Sequence, residues 1–204
     1  MKTESLTSNF PIVCVGGSSA DVDAYTLLLR NLRPDLGIAI VIVNHLSLLN
    51  DRLLQELPNF TTMPVEPITD GLSILRNRVY LSAEDRDLHV QEGVFRLKLL
   101  SKPTGWPDVI TVFLDSLAKH WNGKLIAVIY SGYDGDGAVA LRCVKEAGGV
   151  VMARKAEATE QPDMPLSAVA TGFVDFILSI EDIAKEIERI ALSELKTARS
   201  VARE

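Results

Sequence analysis

Three reactive side chains each come after a short apolar run of the sequence. Ser18 follows PIVCVGG, His45 follows IAIVIVN, and Asp136 comes shortly after LIAVIYSG. A serine hydroxyl becomes a nucleophile when a histidine takes its proton, and an acid fixes the tautomer of that histidine and stabilises the imidazolium. These residue types are therefore the set that a hydrolytic triad needs, provided that the fold brings them together.

The apolar runs predict buried strands of a parallel sheet. They are continuous rather than alternating, as expected of strands that are covered on both faces. The predicted strands are Pro11–Gly17, Ile38–Asn44, Leu125–Ser131 and Gly149–Ala153, with weaker signals at Val79–Ser82 and Phe173–Leu178. The segments between them have helical periodicity or helix caps. The predicted helices are Asp21–Leu32, Val109–Trp121, Ala138–Ala147 and Ile180–Thr197.

Alternation of strands and helices predicts an α/β fold, with a doubly wound, mostly parallel sheet in a three-layer α/β/α sandwich. One β-hairpin interrupts it, because Leu88–Val90 and Val94–Leu99 flank the turn residues Glu92 and Gly93. Pro58–Pro67 reads as an irregular connection with one short strand at most. We expect a single domain over residues 1–204, with tails at 1–10 and 192–204.

Ligand and active sites of open parallel sheets form beyond the carboxyl ends of the strands. Ser18, His45 and Asp136 all follow predicted strands, so we expect them at the same sheet edge. His89 falls in the predicted hairpin and His120 falls late on a predicted helix. His45 is therefore the histidine that is positioned to act as a base.

Each of these residues also has a plainer interpretation. The turn Gly16–Ser19 could be a tight turn with a helix cap, or a nucleotide-binding loop that holds a phosphate at a helix N-terminus. It matches neither G-x-G-x-x-G nor a Walker loop. Tyr133–Gly137 could be an acidic turn that caps the next helix. It also has the start of a calcium loop but not the remaining ligands, so no metal site is predicted.

The composition and charge of the chain limit the classes of partner that it can have. A net charge of −6 argues against a nucleic-acid partner, since phosphate binding needs a basic face. No apolar run approaches the roughly 18 residues of a membrane helix, and the N-terminus has no signal-peptide core. Cys14 and Cys143 lie in apolar patterns and are expected to be buried free thiols. Together these features predict a cytoplasmic protein without direct membrane insertion.

At the candidate residues the chain resembles the catalytic domain of the CheB family, the chemotaxis receptor protein-glutamate methylesterases. Gly16-Gly17-Ser18-Ser19 is similar to the family's G-A-S-T turn, and Asn44-His45-Leu46-Ser47 to its Q-H-M-P segment. Ser131–Gly137 is similar to its T-G-x-G-x-D-G signature. Weaker matches are Asp70-Gly71, Val79–Ala83 and Met164-Pro165.

The resemblance implies a role for each residue at the site. Ser18 would be the nucleophile, His45 the base and Asp136 the acid. Ser19 would supply a neighbouring hydroxyl, and the backbone N–H of Tyr133 would stabilise the oxyanion. The substrates implied are glutamate γ-methyl esters on the cytoplasmic helices of chemoreceptors, with deamidation of receptor glutamines as a further activity. No cofactor is implied.

The sequence also departs from the family pattern. Ala20 and Asp21 replace two glycines, and Asp134-Gly135 changes the loop before the acid. Thr104–Asp108 and Asp87 differ on the substrate side. About ten residues precede the first strand, too few for the receiver domain of chemotaxis methylesterases. The alternative hypothesis is therefore a catalytically degenerate methylesterase-like domain that acts as a binding or regulatory module.

Overall fold

The computed structural model of the chain describes residues 9–17, 22–44, 47–132, 135–156 and 163–201. Within these ranges the strands of the main sheet are β1 (Ile12–Gly17), β2 (Ala39–Asn44), β3 (Val65–Pro67), β4 (Arg78–Leu81), β7 (Leu125–Ser131), β8 (Val150–Arg154) and β9 (Phe176–Leu178). They form a seven-stranded sheet in the order β3-β4-β2-β1-β7-β8-β9, and each neighbouring pair is parallel. The predicted parallel sheet is confirmed.

Helices cover both faces of this sheet. The helices of the described residues are α1 (Val22–Arg30), α2 (Ser47–Glu56), α3 (Val109–His120), α4 (Leu141–Glu146), α5 (Asp163–Ala170) and α6 (Ile180–Val201). Single 3-10 turns occupy Leu57–Asn59 and Ala138–Ala140. The segment predicted as one helix over Ala138–Ala147 is therefore a 3-10 turn followed by α4.

The core is divided into two layers by the sheet. Side chains of a strand point to alternate faces, and Val13 and Val15 of β1 pack with α1 and α6 while Ile12 and Cys14 pack with α3 and α4. All six residues of β1 and all six of β2 are buried. This two-sided burial is the reason that both strands read as unbroken apolar runs.

The predicted hairpin is confirmed, with β5 at Arg86–Gln91 and β6 at Val94–Leu99. Its turn residues Glu92 and Gly93 have φ of 52° and 75°, as a two-residue hairpin turn of this type requires. The hairpin packs on α3, where the Ser116 hydroxyl accepts a hydrogen bond from the Val90 N–H at 2.8 Å. It therefore extends the layer that α3 forms over the sheet.

Ordered structure reaches into both of the segments expected to be tails, 1–10 and 192–204. Phe10 is buried, its ring meets Trp121 edge to face at 5.1 Å, and its carbonyl accepts the Trp121 indole N–H. At the other end α6 continues to Val201, because Ala, Leu, Glu, Lys and Arg favour helix and no Gly or Pro interrupts them. The aromatic pair and the helix-forming composition extend the ordered domain in both directions.

Two helices and one thiol also differ from expectation. The helices α2 and α5 were not predicted, since α2 follows β2 after a very short connection and α5 contains Pro165 in its first turn. Proline is tolerated there because the first N–H groups of a helix have no partner within it. Cys14 is buried as predicted, whereas Cys143 is only half-buried.

Candidate active site

The strand register places the carboxyl ends of β1, β2 and β7 side by side at one edge of the sheet. Gly17, the last residue of β1, pairs with Asn44 of β2 on one side and with Ser131 of β7 on the other. Adjacent strands lie roughly 4.8 Å apart. Ser18 follows Gly17 directly and His45 follows Asn44 directly. The chain positions expected to carry the nucleophile and the base therefore leave neighbouring strands side by side.

Four of the five predicted site residues lie outside the described residues: Ser18, Ser19, His45 and Tyr133. The altered positions Ala20, Asp21 and Asp134 lie outside them as well. The predicted acid Asp136 is described, together with the strand ends that precede the other residues. The geometry of the site is therefore built from these strand ends, from Asp136 and from the elements that pack against them.

The two glycines before Ser18 allow a close approach of two helices to the end of β1. A Cβ at Gly16 would lie 2.7 Å from Ile110 Cγ2 on α3. A Cβ at Gly17 would fall on the hydroxyl of Tyr25 on α1 and 3.1 Å from Ser131 Oγ. Heavy atoms cannot approach this closely without displacement, so a side chain at either position would displace its neighbour on α3 or α1. The backbone from which Ser18 follows is thereby enclosed from both faces of the sheet.

Asp136 is buried, with 6% of its surface exposed, and its carboxylate is held by three backbone N–H groups. Ile110 N–H donates to Oδ2 at 2.8 Å, and the N–H groups of Thr111 and Gly137 donate to Oδ1 at 2.8 and 2.7 Å. Ile110 and Thr111 are the second and third residues of α3, where the helix dipole is positive. Charge-assisted bonds at such a position stabilise the carboxylate anion.

Tyr133–Gly137 was also interpreted as an acidic turn that caps the next helix, but Asp136 binds the start of an earlier helix. The Asp136 carboxylate binds the N-terminus of α3, 25 to 26 residues earlier in the chain. Asp108 occupies the N-cap position of α3, but its side chain makes no capping bond. The Thr111 hydroxyl also accepts the Gly137 N–H at 2.8 Å, which fixes the loop on the C-terminal side of Asp136. A long-range contact thus replaces the local cap.

The N-terminus of α3 lies beside the end of β2. Val109, its first residue, and Pro107 line a small cavity together with Asn44, the last residue of β2. His45 leaves β2 at that point. The helix end that binds the Asp136 carboxylate and the strand end that precedes His45 therefore face the same small space.

The other two histidines do not reach this edge. His120 is the last residue of α3, ten residues beyond Ile110, which corresponds to about 15 Å along the helix. His89 lies in the middle of β5 on the hairpin. Burial lowers the pKa of His89, and the neighbouring charge of Lys98 acts in the same direction. His89 thus lies in the hairpin and His120 at the end of α3, as the sequence predicts.

Neither cysteine offers an alternative nucleophile at the site. Burial raises the pKa of the Cys14 thiol well above its ordinary range, and the charge of Asp136 raises it further. Cys143 is half-buried on α4, and the hydrogen bond to Asp115 raises its pKa. Because the thiolate is the reactive form, the raised pKa values lower the nucleophilicity of both thiols.

The structure adds residues that sequence reasoning missed. The N–H groups of Ile110 and Thr111 hold the acid, and Asn50 and Ser82 form a buried polar network with Asn44. The only sequence signal for the first pair is the start of an amphipathic helix after Asp108. Within the described ranges there is no cluster of three His, Cys, Asp or Glu side chains that could hold a metal ion. Nor is any helix there long and apolar enough to cross a membrane.

Comparison with known proteins agrees with this architecture. The family model for CheB methylesterase matches residues 13–187, which include the candidate site and, apart from Ile12, all the described strands of the sheet. The chain belongs to the CheB methylesterase family. The crystal structure of the Thermotoga maritima CheB methylesterase catalytic domain superposes with a TM-score of 0.79 at 26% identity, covering 89% of this chain and 99% of that one.

Named CheB-family relatives show the same similarity at the level of sequence. A protein-glutamate methylesterase/protein-glutamine glutaminase 2 of Burkholderia pseudomallei is 30% identical over 179 residues, or 87% of this chain and 52% of that protein. A relative from Leptospira interrogans is 28% identical and is matched along 98% of its length. The chain thus spans about half the length of the Burkholderia relatives and nearly all of the Leptospira one.

Proposed function

We propose that this CheB-family chain is a serine hydrolase that removes methyl esters from glutamate side chains of a protein substrate, the methylated cytoplasmic helices of chemoreceptors. Deamidation of receptor glutamines would use the same site. The observation that carries the proposal is the meeting of Gly17, Asn44 and Ser131 in register beside the buried Asp136. The names of its relatives, which combine methylesterase and glutaminase activities, favour the same chemistry.

In this mechanism His45 takes the proton of Ser18 as the serine oxygen attacks the ester carbonyl carbon. Asp136 stabilises the imidazolium that forms, and its three N–H donors keep its own carboxylate in place. The backbone N–H of Tyr133 would bind the oxyanion, with the Ser19 hydroxyl in an accessory position. Donors of this kind typically contribute about 3 kcal/mol each to transition-state binding.

The acyl-enzyme then has to be resolved. The ester C–O bond breaks, and methanol leaves with the proton that His45 carries. A water molecule, deprotonated by His45, then attacks the acyl carbon. The bond between that carbon and Ser18 Oγ breaks, His45 returns the proton to Oγ, and the glutamate carboxylate is released. With a glutamine substrate, ammonia takes the place of methanol. No step requires a metal or an organic cofactor.

We also propose that residues 1–204 act as one catalytic domain in the cytoplasm. The near-complete coverage of the Thermotoga catalytic domain supports a single catalytic unit. The proposed substrate, a cytoplasmic receptor helix, requires that compartment.

The test is release of methanol from receptor membranes methylated with a radiolabelled methyl group. We expect release by the wild-type chain and background release by Ser18→Ala. Ser193→Ala is the matched control, since it makes the same change at an exposed position on α6. Equal rates for wild type and Ser18→Ala would reject the hydrolase proposal and favour a binding or regulatory module.

A further inference from the structure

A buried polar network lies at the carboxyl end of β2. Asn44, Asn50 and Ser82 are 6%, 7% and 7% exposed. The Asn44 side-chain amide donates to Asn50 Oδ1 at 2.7 Å, and the Asn50 amide donates to the Ser82 carbonyl at 2.8 Å. The backbone N–H of Asn44 donates to Ser82 Oγ at 3.3 Å. Buried polar groups are costly unless paired, and these three pair with one another.

The network connects three elements around a single turn of the chain. Asn44 ends β2, Asn50 is the fourth residue of α2, and Ser82 follows β4, the strand next to β2. The bond between Asn44 and Asn50 closes the segment that runs from the strand into the helix. Ser82 anchors both ends of that segment to the sheet. His45 is the first residue of the enclosed segment.

We infer that Asn50 is a positioning residue of the proposed hydrolase, which fixes the end of β2 and thereby the direction in which the His45 backbone leaves the sheet. The inference rests on the proposed function. Asn44 pairs with Gly17 in register, so a rotation of the Asn44 peptide changes the path of the chain directly beside the Ser18 position. A misplacement of about 1 Å can cost roughly 100-fold in rate.

A second role for Asn50 has to be distinguished. A cavity of about 70 Å³ borders both asparagines, and Arg86, Leu100 and Val109 form part of its wall. This volume is enough for roughly two water molecules or one small polar group. If Asn50 contacted substrate through this cavity, its loss would raise KM. If Asn50 positions the base, its loss lowers kcat and changes the pH dependence while KM stays the same.

The decisive variant is Asn50→Leu, which has a similar size and none of the hydrogen bonds. We expect kcat for methyl-ester hydrolysis to fall between 10- and 100-fold, with KM within twofold of wild type. The apparent pKa on the acid limb of kcat should move down, because a displaced imidazolium is less stabilised by Asp136. Asn50→Asp keeps the oxygen that accepts the hydrogen bond from the Asn44 side-chain amide. We therefore expect Asn50→Asp to have a higher kcat than Asn50→Leu.

Ser116→Ala is the matched control for a purely structural effect. It removes a buried side-chain bond of 2.8 Å to Val90, on the hairpin side of α3. We expect Ser116→Ala to lower stability and to leave kcat and its pH profile unchanged. Ser82→Ala is a milder variant that removes only the hydroxyl acceptor of the network. It should lower kcat by a smaller factor in the same direction, even if Asn50→Leu does not fold.

Three results would overturn the inference. One is Asn50→Leu with wild-type kcat and pH profile, as in Ser116→Ala. Another is a rise in the KM of Asn50→Leu at constant kcat. The third applies if Asn50→Leu does not fold, and is a wild-type kcat in Ser82→Ala. The proposed function is judged separately by Ser18→Ala. If Ser18→Ala is inactive and the network variants are fully active, only the positioning role fails.

Discussion

Replacement of Asp136 by Asn is the sharpest test of the candidate site short of changing Ser18. Among the backbone N–H groups of the described residues, that of Ile110 donates to Oδ2 of the carboxylate, and those of Thr111 and Gly137 donate to Oδ1. An amide can accept only through its oxygen. The asparagine will therefore keep its oxygen at the Oδ1 position and turn its NH2 group toward the Ile110 N–H. Two of the three bonds survive in this orientation.

The expected magnitudes follow from that count. Loss of one charge-assisted bond costs about 1.5–3 kcal/mol of folding stability, and the two surviving bonds become neutral and keep roughly half of their strength. A domain with a typical stability of about 5–15 kcal/mol remains folded after this loss. Loss of the orienting charge of a serine–histidine–acid triad typically lowers kcat by about 10⁴-fold, which corresponds to roughly 5.5 kcal/mol. Asp136→Asn should therefore be a folded protein with almost no activity.

The assay combines methanol release with urea unfolding of the same preparations. Asp108→Asn is the matched control, since it removes a carboxylate from the same helix end. The Asp108 side chain is half-exposed and pairs with Lys102 at 3.1 Å, so its loss should change stability by less than about 1 kcal/mol and kcat by less than twofold. A folded Asp136→Asn with kcat within tenfold of wild type would refute the assignment of the acid.

Three further predictions concern the supporting structure. Gly17→Ala should displace the Tyr25 hydroxyl. We expect the free energy of unfolding, measured by urea titration, to fall by about 1–3 kcal/mol, and kcat, measured by methanol release, to fall at least tenfold. Ser179→Ala removes the cap that the Asp182 N–H uses at the start of α6, and should cost about 1 kcal/mol in the same titration with unchanged kcat. The pKa of His89 is lowered in the folded protein, so below about pH 6.5 the unfolded chain binds more protons than the folded one. The free energy of unfolding of the wild type therefore decreases as the pH falls through this range. In unfolding titrations between pH 5 and 8, His89→Gln should flatten that decrease.

The elements that the sequence predicted best are the strands that are buried on both faces of the sheet. β1, β2 and β7 are buried along their whole length, so every residue in them is apolar or small up to the polar ends of β2 and β7. Such strands are visible in a single sequence. Because their carboxyl ends share one edge, the order of the predicted strands was sufficient to propose a common site.

What the sequence did not predict depends on contacts between distant segments. Asn50 lies on α2, which was not predicted, and it can be buried because Asn44 and Ser82 satisfy its polar atoms. Asp136 was predicted as the acid, but its attachment to Ile110 and Thr111 joins residues 25 to 26 positions apart. Local propensity and periodicity carry no information about such pairs.

The central claim is that Ser18 is an activated nucleophile, and covalent labelling tests it most directly. The wild-type chain, Ser18→Ala and Asp136→Asn would be treated with a fluorophosphonate, and the modified peptide would be mapped by mass spectrometry. The predicted result is about one equivalent of adduct on Ser18, absent from Ser18→Ala and from heat-denatured protein, and much slower to form in Asp136→Asn. No adduct on folded wild-type protein, or equal labelling of Ser18→Ala at another residue, would contradict the account.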